Sequence, residues 1–286
     1  MMKRAHLRQF LAVVETGNFT RAAERLAISQ PALSAAIAEL ERLAGTRLFL
    51  RERRQVRLTE AGARLVTHAR TIEREFRAAE AAFAEAPAPR APLRLGVLPS
   101  IATAMLSAMV RRYAGVQPLI LSEGTDAELR RKLAEGQVDA IITLLRPEDA
   151  ERPSQTLLEE GYRLLLPQSH PLAGAALLDA RDVAAETMIA RRSCELLGET
   201  SRWFTQRGVR PPFFLRSAND DRCIEMVRAG MAVTTAPQSL AREGVVPIRL
   251  ADYDFRRTLG LIAARERPHL AEEVSPLAEA CRAAFA

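Results

Sequence analysis

Apolar residues recur at helical spacing from the start of the chain. Leu7, Phe10, Leu11 and Val14 mark the inner face of a first amphipathic helix over residues 3–15. Gly17-Asn18 breaks it, and Thr20 is placed to cap a short second helix whose inner face is Ala22, Ala23 and Leu26. Ser29-Gln30-Pro31 then joins a capping hydroxyl to a first-turn proline. This opens a third helix with Leu33, Ile37, Leu40 and Leu43 inside and Gly45 as its stop. Two short helices joined by a tight turn, with small Ala23 where they cross, make a helix-turn-helix. Its second helix suits the DNA major groove, N-terminal end towards the bases.

The pattern next alternates around a polar, arginine-rich tip from Arg47 to Thr59, as a small hairpin or wing does. Thr59 and Glu60 open a long helix without proline before Pro87. Ala61, Leu65, Ala69, Ile72, Phe76, Ala79 and Phe83 lie along one stripe of that helix at spacings of three and four. The stripe has the form of a paired-helix seam, so dimerisation through it is expected.

Beyond a linker rich in proline and alanine (86–92), short apolar runs alternate with helical segments. Strands are predicted at 93–98, 118–122 and 138–143, with helices over 101–113 and 127–135 between them. The alternation resumes with a strand at 187–190, a helix through Trp203-Phe204, a strand at 213–217, a helix at 221–229 and a strand at 231–235. Such alternation implies parallel α/β layers. Two such halves, joined by crossing segments near 156–167 and 245–262, imply two lobes with a cleft between them.

Charge sharpens this division. The 286 residues carry 41 Lys+Arg against 35 Asp+Glu, a net charge of +6. Residues 1–58 hold eleven basic and five acidic residues, so the whole excess sits there and the other 228 residues sum to zero. A basic head on a neutral body implies a polyanionic partner for the head. The hydrophobic share of 48% and charged share of 27% suit a globular chain, and no apolar run is long enough to span a membrane. Cys194, Cys223 and Cys281 are too few and too far apart for a disulfide framework. A cytoplasmic location is the expectation.

At this point residues 3–66 carry a resemblance. Phe19-Thr20-Arg21-Ala22-Ala23-Glu24-Arg25-Leu26, then Ser29-Gln30-Pro31-Ala32-Leu33-Ser34, then Leu48-Phe49 through Leu58-Thr59-Glu60-Ala61-Gly62 resemble the winged helix-turn-helix of LysR-type transcriptional regulators. The looser pattern of the body is similar to the family's effector domain, which is built like a periplasmic binding protein. The resemblance implies an all-α-rich winged head (1–58), a linker and dimerisation helix with hinge (59–90) and an α/β two-lobed effector-binding domain (91–286). Lobe 1 is expected at about 91–160 and 265–286, lobe 2 at about 161–264. It further implies a bacterial regulator that binds a dyad promoter site as a homodimer or homotetramer, with RNA polymerase as a further partner.

By position, the resemblance puts Ser29, Gln30, Pro31, Ala32 and Ser34 near the bases, Thr20 and Arg21 at the DNA, and Arg51, Arg53 and Arg54 on phosphate from the wing. Base chemistry agrees, since Gln pairs bidentately with adenine and Ala or Pro can meet a thymine methyl. Ala35 and Ala36 follow Ser34 where many family members carry a basic or long polar residue. A larger share of the affinity is therefore expected from the wing.

In open α/β sheets ligands lie beyond strand carboxyl ends, at helix N-termini. That rule selects Ser100, with Ile101 beside it, then Thr103 and Thr143 from the first lobe. From the second it selects Arg191, Arg192, Asn219 and Thr235. Two guanidiniums with free amides suit an anion, most simply a carboxylate. Each of these residues equally suits ordinary capping or strand-end solvation. A different input is cysteine oxidation at Cys194 and Cys223, with Cys194 close to two arginines. Against it, the peroxide-sensing branch of the family carries a closely spaced cysteine pair, whereas here 29 positions separate the two. His6, His68, His170 and His269 show no metal-ligand spacing, and no nucleophile elbow, phosphate loop or HExxH occurs. Neither cofactor, metal nor enzymatic activity is expected, and Trp203-Phe204 reads as core.

Overall fold

The computed structural model describes residues 1–52, 55–82, 91–114 and 116–286, except that the side chains of Arg51, Glu52, Gln55, Arg74, Arg77, Ala78, Ala81 and Ala82 are not described. The wing tip Arg53-Arg54, Phe83 and most of the proline linker thus lie outside the described residues. The chain divides into two compact units, Met1–Pro92 with Arg131–Asp139, and the remainder.

The first unit opens with α1 (Arg4–Thr16), α2 (Phe19–Arg25) and α3 (Gln30–Ala44). Leu7, Phe10, Leu11, Ala22, Ala23, Leu33, Ile37 and Leu40 are buried in one core, as their spacing predicts, and Val13 is buried with them, while Val14, Leu26 and Leu43 are only half-buried. The second helix is capped by Asn18 and not by Thr20. The Asn18 carboxamide oxygen accepts from the backbone N–H groups of Thr20 (2.8 Å) and Arg21 (3.1 Å). Two polar residues stood near that helix start, and the longer acceptor two positions earlier reaches both free amides. Ser29 does cap α3, accepting from the Ala32 amide at 3.3 Å. Gly45 ends α3 in the left-handed region, φ 67°.

The wing is the hairpin β1 (Phe49–Glu52) and β2 (Gln55–Leu58), paired antiparallel. Phe49 enters the core, with its ring 5.2 Å from that of Phe10 and 5.9 Å from that of Phe19. The Glu41 carboxylate on α3 accepts from the amides of Leu48 (2.8 Å) and Phe49 (3.1 Å), which fixes the wing to the recognition helix. The long helix α4 (Glu60–Ala82) then begins so close to the wing that a Cβ on Gly62 would lie 2.2 Å from the Leu48 carbonyl oxygen. No larger residue fits there without moving backbone. The predicted stripe divides along its length. Ala61, Leu65 and Ala69 pack on the head's own core, whereas Ile72 and Phe76 are exposed.

The second unit contains β3 (Leu93–Val97), α5 (Thr103–Tyr113), β4 (Leu119–Glu123), the start of α6 (Asp126–Ala134), whose residues from Arg131 onward are counted in the first, and β5 (Ala140–Leu144). A strand of fourteen residues follows, β6 (Ser154–Pro167). After it come β7 (Leu177–Leu178), β8 (Met188–Arg191), α7 (Leu197–Gln206), β9 (Phe213–Ser217) and α8 (Asp220–Arg228). The chain closes with β10 (Thr234–Pro237), β11 (Val245–Leu250), β12 (Arg256–Ala263) and α9 (Pro276–Phe285). β4, β3 and β5 are parallel, and β12 joins β5 antiparallel. The first half of β6 pairs with β12 and its second half with β10 and β11, so one strand threads both lobes.

Three expectations need adjustment. The exchange between lobes falls near residues 161 and 256, where β12 meets β6, so 256–263 belong to the first lobe's sheet. The strand expected at 231–235 forms three residues later and runs antiparallel on β6. In the second lobe the parallel pairs are β8 with β9 and the short β7 with β11. The edge and crossing strands override the simple βαβ reading because their partners lie far away in sequence. Among the described residues, no helix is long and apolar enough to cross a membrane.

The cap assignment can be tested by stability. Asn18→Ala is expected to cost the head about 1 kcal/mol in urea unfolding, whereas Thr20→Ala leaves it nearly unchanged. Gly62→Ala is expected to cost about 1–3 kcal/mol by overpacking against Leu48.

Candidate nucleic-acid interface and effector site

On the head, the N-terminal end of α3 is presented outward. Ser29, Gln30, Pro31 and Ala32 are exposed, and Ser34 is half-buried one turn on. The Gln30 carboxamide donates to the Ser34 hydroxyl at 2.9 Å, so the two polar groups are held side by side. Thr20 and Arg21 are exposed on the first turn of α2. Arg57 is exposed on β2 of the wing, whereas the Arg51 side chain and all of Arg53 and Arg54 lie outside the described residues. A helix end with two amide- or hydroxyl-bearing side chains, on a basic unit, is suited to base edges flanked by phosphate contacts.

In the body, Ser100 lies just beyond β3 and is fully buried, as is much of Ile101. The groups that surround Ser100 were not selected from the sequence. Arg257 on β12 donates to the Ser100 hydroxyl (2.9 Å) and to the Ser100 carbonyl (3.1 Å). The same guanidinium donates to Glu160 on β6 at 2.8 and 2.9 Å and to Glu195 at 2.7 Å. Glu195 belongs to the turn after β8. Its carboxylate also accepts from the Ser100 hydroxyl and, at 3.0 Å, from the Tyr162 hydroxyl. Glu160 takes further donors from the backbone and hydroxyl of Ser239 at 2.7 and 3.0 Å. Ser100 in the first lobe and Glu195 in the second are thereby tied together through the crossing strands.

This cluster holds two carboxylates and one guanidinium. The unbalanced negative charge is tolerated because three hydroxyls and an amide donate to it. Burial by itself would raise the Glu195 carboxyl. The nearby Arg257 charge and the Ser100 hydrogen bond outweigh that and hold it below the usual carboxylate range. Burial pushes the Tyr162 hydroxyl up, so it stays protonated and donates.

The other selected residues occupy separate places. Arg191 is buried at the end of β8 and paired with Asp220, donating at 2.9 Å through Nε, and it reaches the Thr235 carbonyl at 3.3 Å. Ser193 also donates to Asp220, at 2.5 Å. Arg192 is exposed. Asn219 caps α8, accepting from the Arg222 amide at 2.9 Å. Thr143 donates to Asp126 at 2.8 Å, in a first-lobe network that includes Arg130 and Asp149. Thr103 is exposed and bonded to Asp221. The residues therefore do not converge as one anion cradle. The buried guanidinium selected to hold an anion already has a carboxylate of this chain, since a buried arginine needs a counter-charge.

A cavity of about 430 Å³ lies in the second lobe, between α7 and strands β8 to β10. Cys194 lines it, half-buried, while Cys223 is fully buried on α8. Burial pushes the Cys194 thiol up, and the opposing Arg191 charge does not reverse this. Burial raises Cys223 likewise. Glu160 and Arg257 face each other directly in the β6–β12 register. The Glu159-Glu160 pair in one crossing segment and the Arg256-Arg257 pair in the other were the signal that could have identified them.

Comparison with known proteins agrees with both parts of this picture. The model of the LysR substrate binding domain matches residues 86–286. That of the bacterial regulatory helix-turn-helix proteins of the lysR family matches residues 5–63. A probable hydrogen peroxide-inducible genes activator from Mycobacterium avium is 33% identical over 241 residues, 82% of this chain and 78% of that protein. The DNA-binding transcriptional dual regulator OxyR of Escherichia coli K12 is 29% identical over 287 residues, 97% of this chain and 94% of that one. A full-length OxyR variant from Pseudomonas aeruginosa is similar in structure, with a TM-score of 0.69 at 25% identity, covering 99% of this chain and 95% of that one. With a DNA-reading domain followed by a substrate-binding domain, both matched in that order, the chain belongs to the LysR family of bacterial transcription regulators.

Proposed function

We propose that this regulator binds a dyad promoter site as a homodimer, two of which pair as a homotetramer, and adjusts its grip on DNA through the lobe-to-lobe contact in the body. The observation that supports DNA reading most directly is the exposed start of α3, with Gln30 and Ser34 held together behind the Ser29 cap. Dimerisation is supported by Ile72 and Phe76, which leave the head's core and face outward on α4. RNA polymerase is the downstream partner in this reading.

The signal acts where the lobes are joined. Ser100, Glu195, Tyr162, Glu160 and Arg257 form a latch whose two ends belong to different lobes. A signal that favours the open or the closed latch shifts the population in proportion to its differential affinity. The charge already present argues against a simple carboxylate as the free ligand, because it would enter beside two carboxylates.

A second reading is favoured by the names of the relatives, which are hydrogen peroxide-inducible gene activators. Cys194 sits next to the latch residue Glu195 and lines the second-lobe cavity. The thiol's burial opposes rapid oxidation, because the thiolate is the nucleophile.

Four outcomes follow. In operator binding, Gln30→Ala is expected to cost about 1–3 kcal/mol on the preferred sequence and to relax discrimination at one base pair. Arg53→Ala is expected to reduce the slope of log affinity against log salt by about 1, with an unchanged slope counting against a wing contact. The Glu195 carboxyl is lowered in the folded chain, so its contribution is fully present above the unfolded carboxylate value and is lost as pH falls through the folded one. Glu195→Gln should therefore flatten the acid limb of the stability–pH profile below about pH 4, read by thermal unfolding. Under the leading reading, intact mass after brief peroxide exposure shows no faster oxygen addition at Cys194 than at an ordinary thiol. Addition orders of magnitude faster, coupled to altered operator binding, would transfer the function to oxidation.

A further inference from the structure

The second-lobe cavity is walled by β8, β10 and the inner face of α7, with Phe213 and the 209–211 segment closing one side. Its volume, about 430 Å³, falls within the range of roughly 300–1,000 Å³ typical of small-molecule sites. A dry apolar cavity of about 150 Å³ is enough for benzene, so this chamber takes something larger.

The chemistry of the occupant follows from what the lining has left to offer. Met188, Ile189, Ala190, Phe204 and Val209 supply an apolar surface. The Thr200 hydroxyl is bonded to the Tyr253 hydroxyl at 2.6 Å, and that of Thr234 donates to the Ile189 carbonyl at 2.8 Å. Thr205 donates to the Ser201 carbonyl at 2.9 Å. Of the two arginines in the lining, the buried Arg191 is neutralised by Asp220 and Arg210 is exposed, and no carboxylate lines the chamber. Bringing a charged group into the interior would strip it of water with no counter-charge there, since Arg210 is exposed to solvent. An apolar molecule loses nothing of that kind and gains the contact area.

We propose that the second lobe binds a small, uncharged, predominantly apolar molecule, larger than one benzene ring, in the chamber between α7 and β8–β10. The inference rests on the regulator reading and names the class of its effector. The geometry also supplies a route to the latch. The turn between β8 and α7 contributes Arg191 and Cys194 to the chamber wall and carries Glu195 into the contact with Ser100 and Arg257. An occupant that presses on Cys194 therefore bears on the next residue, which joins the lobes.

The test is thermal unfolding of the full chain with three uncharged probes, indole, 1-naphthol and toluene, and one charged probe, indole-3-carboxylate. At least one uncharged probe is expected to give a saturable rise in Tm of ~2–4 °C, and indole-3-carboxylate none at the same concentration. Ser201 and Thr205 are exposed on α7 at the chamber mouth, so bulky residues there are tolerated by the fold. Ser201→Trp and Thr205→Trp should each abolish the rise, while Arg111→Ala, exposed on α5 of the first lobe, should keep it. No rise with any uncharged probe, a rise undiminished in both tryptophan variants, or a larger rise with indole-3-carboxylate each overturns the proposal. Operator footprinting without any probe is a separate arm. Loss of footprint there refutes DNA regulation, whereas probe binding that leaves the footprint unchanged refutes only the coupling of the chamber to the latch.

Discussion

The body of this protein depends on one buried guanidinium. Arg257 sits between Glu160, opposite it in the sheet, and Glu195, which arrives from the other lobe. Burial of three charges is unfavourable unless every one finds partners, and here each does, through Ser100, Tyr162 and Ser239 as well as one another. Such a cluster contributes little net stability compared with apolar packing. What it supplies is geometry, because an ion pair with fixed donors accepts one arrangement and rejects its neighbours. The lobes therefore meet in a defined way.

The same cluster explains why the anion expected in the cleft finds poor support. A residue pattern that places arginines at strand ends looks like a receptor for negative charge. In the folded chain Arg191 is consumed by Asp220 and Arg192 is exposed, while Arg257, which the sequence pattern did not select, is held by two glutamates. The second-lobe cavity is lined mainly by apolar residues, and its hydroxyls are largely engaged. Charge and cavity are thus sorted into adjoining compartments that share a single turn.

The head was largely legible from its residues because its determinants are local. Caps, a stop glycine and apolar positions three and four apart act within one or two helical turns, so α1 and α3 lie within a residue or so of their expected bounds. Asn18 displaced Thr20 as a cap because two acceptors lay within reach of the same amides, a competition that spacing alone does not decide. The body's site was not legible in this way. Glu160 and Arg257 are separated by 97 positions and Ser100 and Arg257 by 157, and only strand register brings them together. Glu195 drew no reading from the sequence, beside a more conspicuous cysteine, and only its contacts with Ser100 and Arg257 mark it. The lobe boundary was misplaced for the same reason, since β12 shows its allegiance only through its pairing with β5.

One feature of the head bears on how far a small movement reaches. Arg4 near the N-terminus is ion-paired to Glu73 and Glu80 and lies over the Phe76 ring, so α1 is bracketed to the outer half of α4. Together with the close approach at Gly62, this leaves the head little freedom to swivel about its own helix. The 23 residues of α4 span roughly 35 Å. A tilt of ~5° at one end of such a rod sweeps the other end by ~3 Å, close to the rise of one base-pair step. The helix is thus long enough to serve as a lever, since a tilt of a few degrees at one end displaces the other by a full increment of the DNA ladder.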